Sequence, residues 1–334
     1  MKKLTLLFVL TILFSCQKKE EEPTKKPYEG YIEVDYITDT GFIKDFFVKN
    51  GEVYMYREGH PFREEYTLSI NKIDKEGNMS VEHQPNGDFL GIHMGLTLSG
   101  NKESFFLTTG GHDFGNGIYK FSFDYQKTDY KIPSFGFDKP RIPKMVAYDE
   151  NSYLLFDSNN GLLLRFFEDS TKTLLVAGLK NQRGLVDGIG VKAKFREIYK
   201  RMVNVDKVIY AIDGDNYLRQ IQKATSSDEF EVKTLIPNFS TKLKDLAVDS
   251  KKNILVLADN IYKLNINSNI LERYYDGKGL NFVDKKREQI RTNYGLGSFD
   301  NFFIEGKDLY LYSHHFLMKI SDYEVKLKKY EVSN

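Results

Sequence analysis

One cysteine, no tryptophan, eight prolines and no surplus of charge of either sign set the first limits on this chain. A lone thiol, Cys16, cannot close an intrachain disulfide, so a disulfide framework and a cysteine-built metal centre are both excluded. The 48 Lys and Arg residues against 47 Asp and Glu lack the basic excess that a nucleic-acid binder gathers into a patch, and no nucleic-acid partner is expected. No Gly-x-Ser-x-Gly elbow occurs, which leaves a Ser/His/Asp nucleophilic site without sequence support. Apolar periodicity of the helical kind is scarce. What the chain has instead is an abundance of Phe and Tyr, 25 and 22 respectively, of the kind that favours a β-rich core.

The N-terminus stands apart. Lys2 and Lys3 precede an uncharged stretch from Leu4 to Phe14, then Ser15 and Cys16. A positive start, a short apolar core and a small residue before the cut describe an export signal. As a helix, Leu4 to Phe14 would rise roughly 16 Å, about half the hydrocarbon thickness, which is too short for a permanent span. Leu13-Phe14-Ser15-Cys16 resembles the lipobox of bacterial lipoproteins, which implies lipidation of Cys16 and a membrane partner held through that lipid. Gln17 to Pro27, QKKEEEPTKKP, has no apolar residue to bury and reads as a disordered tether. Its charged residues resemble the signals that send lipoproteins of the Bacteroidetes to the outer membrane and its exposed face. The expected organisation is a signal peptide over 1–15, lipidated Cys16 and tether over 16–27, and one folded body over 28–334. Removal of Lys2 and Lys3 leaves 46 basic against 47 acidic residues.

From Tyr31 onward the apolar residues fall in short runs separated by Gly, Asn and Asp clusters, as strands and turns require. Asp284 to Arg291 is the one stretch that reads as two turns of a polar helix. A unit recurs: an apolar strand, a polar turn, a second strand rich in aromatics, a turn, a third strand. Its second strands begin at Val53, Phe105, Tyr153, Val208, Ile254 and Leu309, spaced 46 to 55 residues apart. Six units of this length fit the four-stranded blades of a propeller, so the fold class is all-β, a six-bladed β-propeller. The N-terminal strand Tyr31 to Ile37 and a C-terminal strand Val325 to Val332 are expected to share one blade and join the ends of the ring. Tyr54, Tyr56, Tyr153, Phe156, Tyr210, Tyr310 and Tyr312 read as packing between blades.

One stretch carries a family resemblance. Ala177-Gly178, Gly184, Asp187-Gly188, Gly190, Ala193-Lys194-Phe195, then Val208 to Asp213, Asn216 and Leu218-Arg219-Gln220-Ile221 together resemble an NHL repeat. The glycines suit positive φ in a long crossing between blades, and Phe195 suits a plug between sheets. Asp213 suits a turn whose carboxylate accepts backbone N–H groups, with Arg219 placed to reach back to it. Weaker copies surround Asp157-Ser158-Asn159-Asn160-Gly161 and Asp259-Asn260.

With each blade starting at its inner strand, turns between second and third strands share a rim with the crossings. That rim is the candidate ligand-binding surface: Arg57, His60, Arg63, His112, Asp113, Asp157, Asn159, Arg183, Asp187, Asp213, Asp215, Asp259, His314 and His315. Four histidines there invite zinc, as in peptide-amidating propeller lyases, and the acids invite calcium, as in lactonase-like propellers. The bland alternatives are solvated loop histidines and turn-capping aspartates, and no cofactor is required by any motif. The expected function is a membrane-anchored, surface-exposed binding or scaffold protein whose rim recognises a glycan, peptide or envelope protein; the alternative is a metal-dependent six-bladed propeller enzyme of the lyase or lactonase kind.

Overall fold

The computed structural model describes residues 30–58, 68–83, 92–110, 118–130, 141–142, 144–169, 173–275, 277, 279–286 and 288–333. The expected signal peptide and tether, and with them Cys16, lie outside the described residues. Among the described residues no helix is long and apolar enough to cross a membrane.

Among the described residues six antiparallel four- or five-stranded sheets follow one another along the chain. Blade one comprises Ile43–Lys49, Glu52–Glu58, Leu68–Ile73 and Met79–His83; blade two comprises Ile92–Leu98, Ser104–Gly110, Ile118–Ser122 and Lys127–Tyr130. Blade three is Lys144–Ala147, Ser152–Asp157, Leu162–Phe167 and Thr173–Ala177, and blade four is Val203–Val205, Val208–Asp213, Tyr217–Lys223 and Phe230–Ile236, with Gly188–Ile189 added outside. Blade five is Asp245–Val248, Ile254–Leu257, Ile261–Asn265 and Ile270–Tyr275. Blade six takes Asn301–Glu305, Asp308–Ser313 and Phe316–Ile320 from the C-terminal part and Tyr36–Asp39 from the N-terminal part. Each blade's first strand adjoins the first strands of the blades before and after it, and that of blade six adjoins that of blade one. The molecule is a β-propeller, and all six expected second-strand starts fall at or one residue inside the start of the second strand of a blade.

The reason the chain closes is visible in the side chains. Alternate residues of a strand face opposite ways, so each blade has two apolar faces to cover. In Ser152–Asp157 all six residues are buried: Tyr153 and Leu155 pack towards blade two, Leu154 and Phe156 towards blade four. Val208–Asp213 repeats the arrangement, with Ile209 and Ala211 facing blade three and Tyr210 and Ile212 facing blade five. The buried apolar residues thereby sort into six clusters, one at each contact between neighbouring blades. The seven aromatics read from the sequence as packing are all buried.

The ends of the chain depart from expectation. The N-terminal strand bends at Asp35 into two. Ile32–Val34 runs parallel to Leu280–Asp284 in a small sheet completed by Ile290–Tyr294, and Tyr36–Asp39 pairs antiparallel with Phe316–Ile320. The bend is held by the Asp35 carboxylate, which accepts hydrogen bonds from Ser321 N at 2.8 Å and Ser321 Oγ at 3.0 Å and pairs with Lys285. Burial works to raise the Asp35 carboxyl, but the bonds from Lys285 and Ser321 outweigh it and hold it below its ordinary value. The expected C-terminal strand is instead the helix Tyr323–Ser333. Tyr323 and Leu327, four apart, form its buried side, with the Tyr323 and Tyr275 rings 6.2 Å apart. The edge that a C-terminal strand would have filled is already paired with Tyr36–Asp39. The polar helix expected over Asp284 to Arg291 is the turn of the hairpin Leu280–Asp284 and Ile290–Tyr294, which also accounts for the long spacing between blades five and six.

Ring closure by Tyr36–Asp39 predicts that a chain beginning at Gly41 melts at least 10 °C below the chain beginning at Gly30, since four buried apolar side chains, Ile32, Val34, Tyr36 and Ile37, and two strand ladders are lost. A chain lacking residues 323–334 should keep the closed ring and lose less. Equal melting temperatures for the first pair, measured by thermal circular dichroism, would contradict this closure.

Candidate functional site

Among the described residues, the turns between second and third strands of blades three to six share a rim with the crossings, because each is hydrogen-bonded to the crossing that enters its own blade. Asp157, buried at the end of its strand, accepts from Arg141 N at 3.1 Å, Asn159 N at 3.0 Å and Asn160 Nδ2 at 2.6 Å, and Ser158 N donates back to Arg141 O. Burial pushes the Asp157 carboxyl above its ordinary range against these bonds. Asp213 repeats the pattern with Arg196 N and Glu197 N, both at 2.8 Å. Asp259 accepts from Thr241 Oγ1 at 3.1 Å and Tyr262 OH at 2.8 Å. These acids cap donors rather than converge on a common point.

Asp213 is also one end of a clamp. Arg219, fully buried, bonds Asp213 at 2.6 Å, Asp187 at 3.1 Å and the Val186 carbonyl at 3.1 Å, and its guanidinium lies 5.7 Å from the Phe195 ring centre. Asp187 in turn accepts from Thr234 N at 2.9 Å and Thr234 Oγ1 at 2.7 Å. The clamp pins the crossing before blade four onto that blade, and Phe195 packs edge-on to Phe156 of blade three at 5.5 Å. Gly190 sits in the same crossing at φ +58°, where a Cβ would collide with the Glu229 carboxylate. The roles read for Asp213, Arg219, Phe195 and Gly190 are therefore physical facts of the fold; Gly184, in contrast, has no positive φ.

The remaining rim residues are dispersed. Arg57 lies next to the end of its strand against Gly41 (φ +65°), where a Cβ would come within 3.1 Å of the guanidinium. Asp215 pairs with Lys242 at 3.0 Å, and both are exposed. Asn159 is exposed beside the Asp157 turn. His314 Nδ1 lies 2.6 Å from Asp300 Oδ2, and the His315 ring meets Phe42 edge-on at 5.1 Å. The two histidines form the turn before Phe316, and their rings stand at 86°. His60, Arg63, His112 and Asp113 lie outside the described residues. Among the described residues no group of three His, Cys, Asp or Glu is placed to hold a metal.

Two features escaped sequence reading. On the axis, Asp45, Lys144, Arg201 and Asp245 lie at or near the start of four inner strands and form one chain of charge: Lys144 to Asp45 at 2.5 Å, Arg201 to Asp45 at 3.5 Å, Arg201 to Asp245 at 3.7 Å. Phe46 and Phe303 rings lie 5.2 and 5.1 Å from the Arg201 guanidinium. Asp45 also accepts from Phe46 N and Leu96 N, and Asp245 from Phe302 N. Burial pushes the Asp245 carboxyl up and Arg201 opposes it. Along the axis beside this network is a cavity of about 420 Å³, walled by Leu96, Leu98, Met145, Met202 and Leu246. The available signal was a charged residue recurring just before an apolar inner strand, as in Lys144-Met145-Val146, Arg201-Met202-Val203 and Asp245-Leu246-Ala247.

The second feature is a groove of about 580 Å³ on the rim between blades three and four, lined by Arg183, Arg196, Glu197, Tyr199, Lys200, Asp215, Asn216 and two glycines. Arg183 donates to Ser158 O at 2.6 Å and faces Glu197 at 3.5 Å. Burial and the bond to Glu197 raise the Tyr199 hydroxyl above its ordinary value. Among the described residues Arg196 and Lys200 have no ion-pair partner.

No known family profile matches this sequence, and no curated protein matches it. Solved structures do. A protein of unknown function from Bacteroides thetaiotaomicron superimposes with a TM-score of 0.57 at 13% identity, over 87% of this chain and 74% of its own. An auxiliary nutrient binding protein from the same organism gives 0.55 at 9% identity, over 84% and 69%. Virginiamycin B lyase from Staphylococcus aureus gives 0.53 at 10% identity, over 85% and 99%. At these identities the likeness is one of fold.

The clamp predicts a sharp contrast between neighbouring acids. Asp213→Ala removes the buried partner of Arg219, leaving it the half-exposed Asp187, and uncaps Arg196 N and Glu197 N, and should cost about 3 kcal/mol, whereas Asp215→Ala should change stability by less than about 0.5 kcal/mol. Urea denaturation of both variants measures the difference, and equal midpoints would remove the capping role assigned to Asp213.

Proposed function

We propose that this protein is a lipid-anchored binding protein of the bacterial envelope, NHL-like in its fourth blade, which takes its ligand in the rim groove between blades three and four. The observation that carries the reading is how the charges are spent. The buried rim acids cap backbone donors, and the axial acids are tied to Lys144 and Arg201, so neither set leaves a converging pair of groups for acid–base work. The groove, in contrast, leaves Arg196 and Lys200 without an ion-pair partner among the described residues, beside Tyr199. A preformed concave surface with a few unspent polar groups is suited to holding a ligand. Structural neighbours that include a nutrient binding protein fit this reading, and the Ser15-Cys16 junction with its charged tether supplies the anchor.

Two measurements test the proposal together. Cys16→Ser should move the protein from the membrane fraction to the soluble fraction of cells. An array of saccharides and peptides probed with the folded body should return a ligand whose binding is lost in Arg196→Ala/Lys200→Ala and kept when Lys102, on the opposite end of the axis, becomes Ala. Retention of binding by the groove variant would exclude this groove as the site.

A further inference from the structure

Resting on the rim-binding reading, we infer that the groove between blades three and four is a site for an acidic saccharide, one bearing carboxylate or sulfate groups. The argument begins with the crossing Lys194 to Met202, KFREIYKRM, which packs Phe195 and Ile198 into the core and leaves the residues between them on the rim. Arg196 is exposed, and its stem lies across Gly214; at φ +68° that glycine brings the turn close enough that a Cβ there would meet Arg196 Cδ at 3.2 Å. The stem is thus supported while the guanidinium has no ion-pair partner among the described residues. Lys200, at the other end of Tyr199, stands in a field of like charge: the Lys244 ammonium is pushed below its ordinary value by burial, with Lys200 and Lys242 adding to the effect against the pull of Asp300. The Arg141 guanidinium lies 5.8 Å from the Tyr199 ring centre. Arg196 and Lys200, without ion-pair partners among the described residues, stand together in one concave place and attract an anion, and the Arg196 guanidinium in particular matches a planar carboxylate or a sulfate face.

Charge alone would also admit an acidic peptide. The lining decides between them. A peptide groove offers apolar pockets for alternate side chains, whereas this groove is lined by charged and polar residues and two glycines, with no aliphatic side chain and with Tyr199 as its one aromatic surface. Glu197 and Asp215 bring carboxylates next to the cations, where they would repel an acidic peptide's run of like charge but accept hydrogen bonds from sugar hydroxyls. A ligand carrying one anionic group per ring, with hydroxyls around it, satisfies both sets.

Isothermal titration of the folded body with four probes tests the inference: oligogalacturonate for the carboxylate source, chondroitin sulfate oligosaccharide for the sulfate source, neutral dextran oligosaccharide, and polyglutamate of matched charge. The expected result is binding of at least one acidic saccharide, weakened tenfold or more by Arg196→Ala/Lys200→Ala and by raising salt from 50 to 500 mM, with an unchanged melting temperature. Arg196→Lys should restore part of the loss. Neutral dextran binding that is lost in the groove variant would overturn the charge inference while leaving the rim reading standing. Acidic saccharide binding that the groove variant does not alter would overturn both. Equal or tighter binding of polyglutamate would replace the saccharide with a peptide, and no binding of any acidic saccharide would end the inference.

Discussion

The ladder between Tyr36–Asp39 and Phe316–Ile320 is the constraint on which the rest of the structure depends. It joins the two ends of the folded chain, and closing a loop of the ring's length costs on the order of 5 kcal/mol in chain entropy. Four residues of ladder do not comfortably outweigh that sum through hydrogen bonds worth about 1 kcal/mol each. What tips the balance is that closure also covers the last apolar face: Tyr36 and Ile37 are buried, and blade six then packs against blade one through Tyr310, Tyr312 and Leu317 on one side and Phe46, Val48 and Met55 on the other. Each such side chain contributes about 1.5–3 kcal/mol. Six sheets with two apolar faces apiece have no free end only as a ring, and the N-terminal strand is what makes the ring complete.

A closed ring fixes where charge can sit. Inner strands converge at the axis, and the charged residues at the start of four of them must neutralise one another there, as Asp45, Lys144, Arg201 and Asp245 do. Turns at the ends of the second strands must cap the crossings, which occupies Asp157 and Asp213. The long crossing into blade four needs its own clamp, supplied by Arg219 and Asp187. Only after these demands are met do unspent polar groups mark a surface for something else, and among the described residues Arg196 and Lys200 are such groups. Function here is read from what the fold leaves over.

The six second strands were legible in the sequence because a run such as Ser152-Tyr153-Leu154-Leu155-Phe156-Asp157 can be buried on both faces only between two sheets. The Asp213 to Arg219 contact was legible because a strand-ending acid and a basic residue two places into the next strand face each other across a tight turn. The chain ends were not. Tyr323 and Leu327 serve a helix with one narrow buried side, a pattern too short to outvote the strand-like alternation around it. Nor were the axial charges legible, since Lys144 and Asp245 look like ordinary turn residues until the ring brings them within reach of Arg201 and of Asp45 from blade one. The groove is a product of tertiary placement in the same way: Arg183, Arg196 and Asp215 come from separate segments, and only the crossing's clamp sets them together.

Native-state hydrogen exchange tests the closed ring most directly. The account predicts that the ladder amides of Tyr36–Asp39 and Phe316–Ile320 exchange with the same free energy of opening as those of Ser152–Asp157 in blade three, because no blade can open without exposing the faces of two others. Exchange of the Tyr36–Asp39 ladder through a local opening several kcal/mol easier, with blade three still protected, would contradict it.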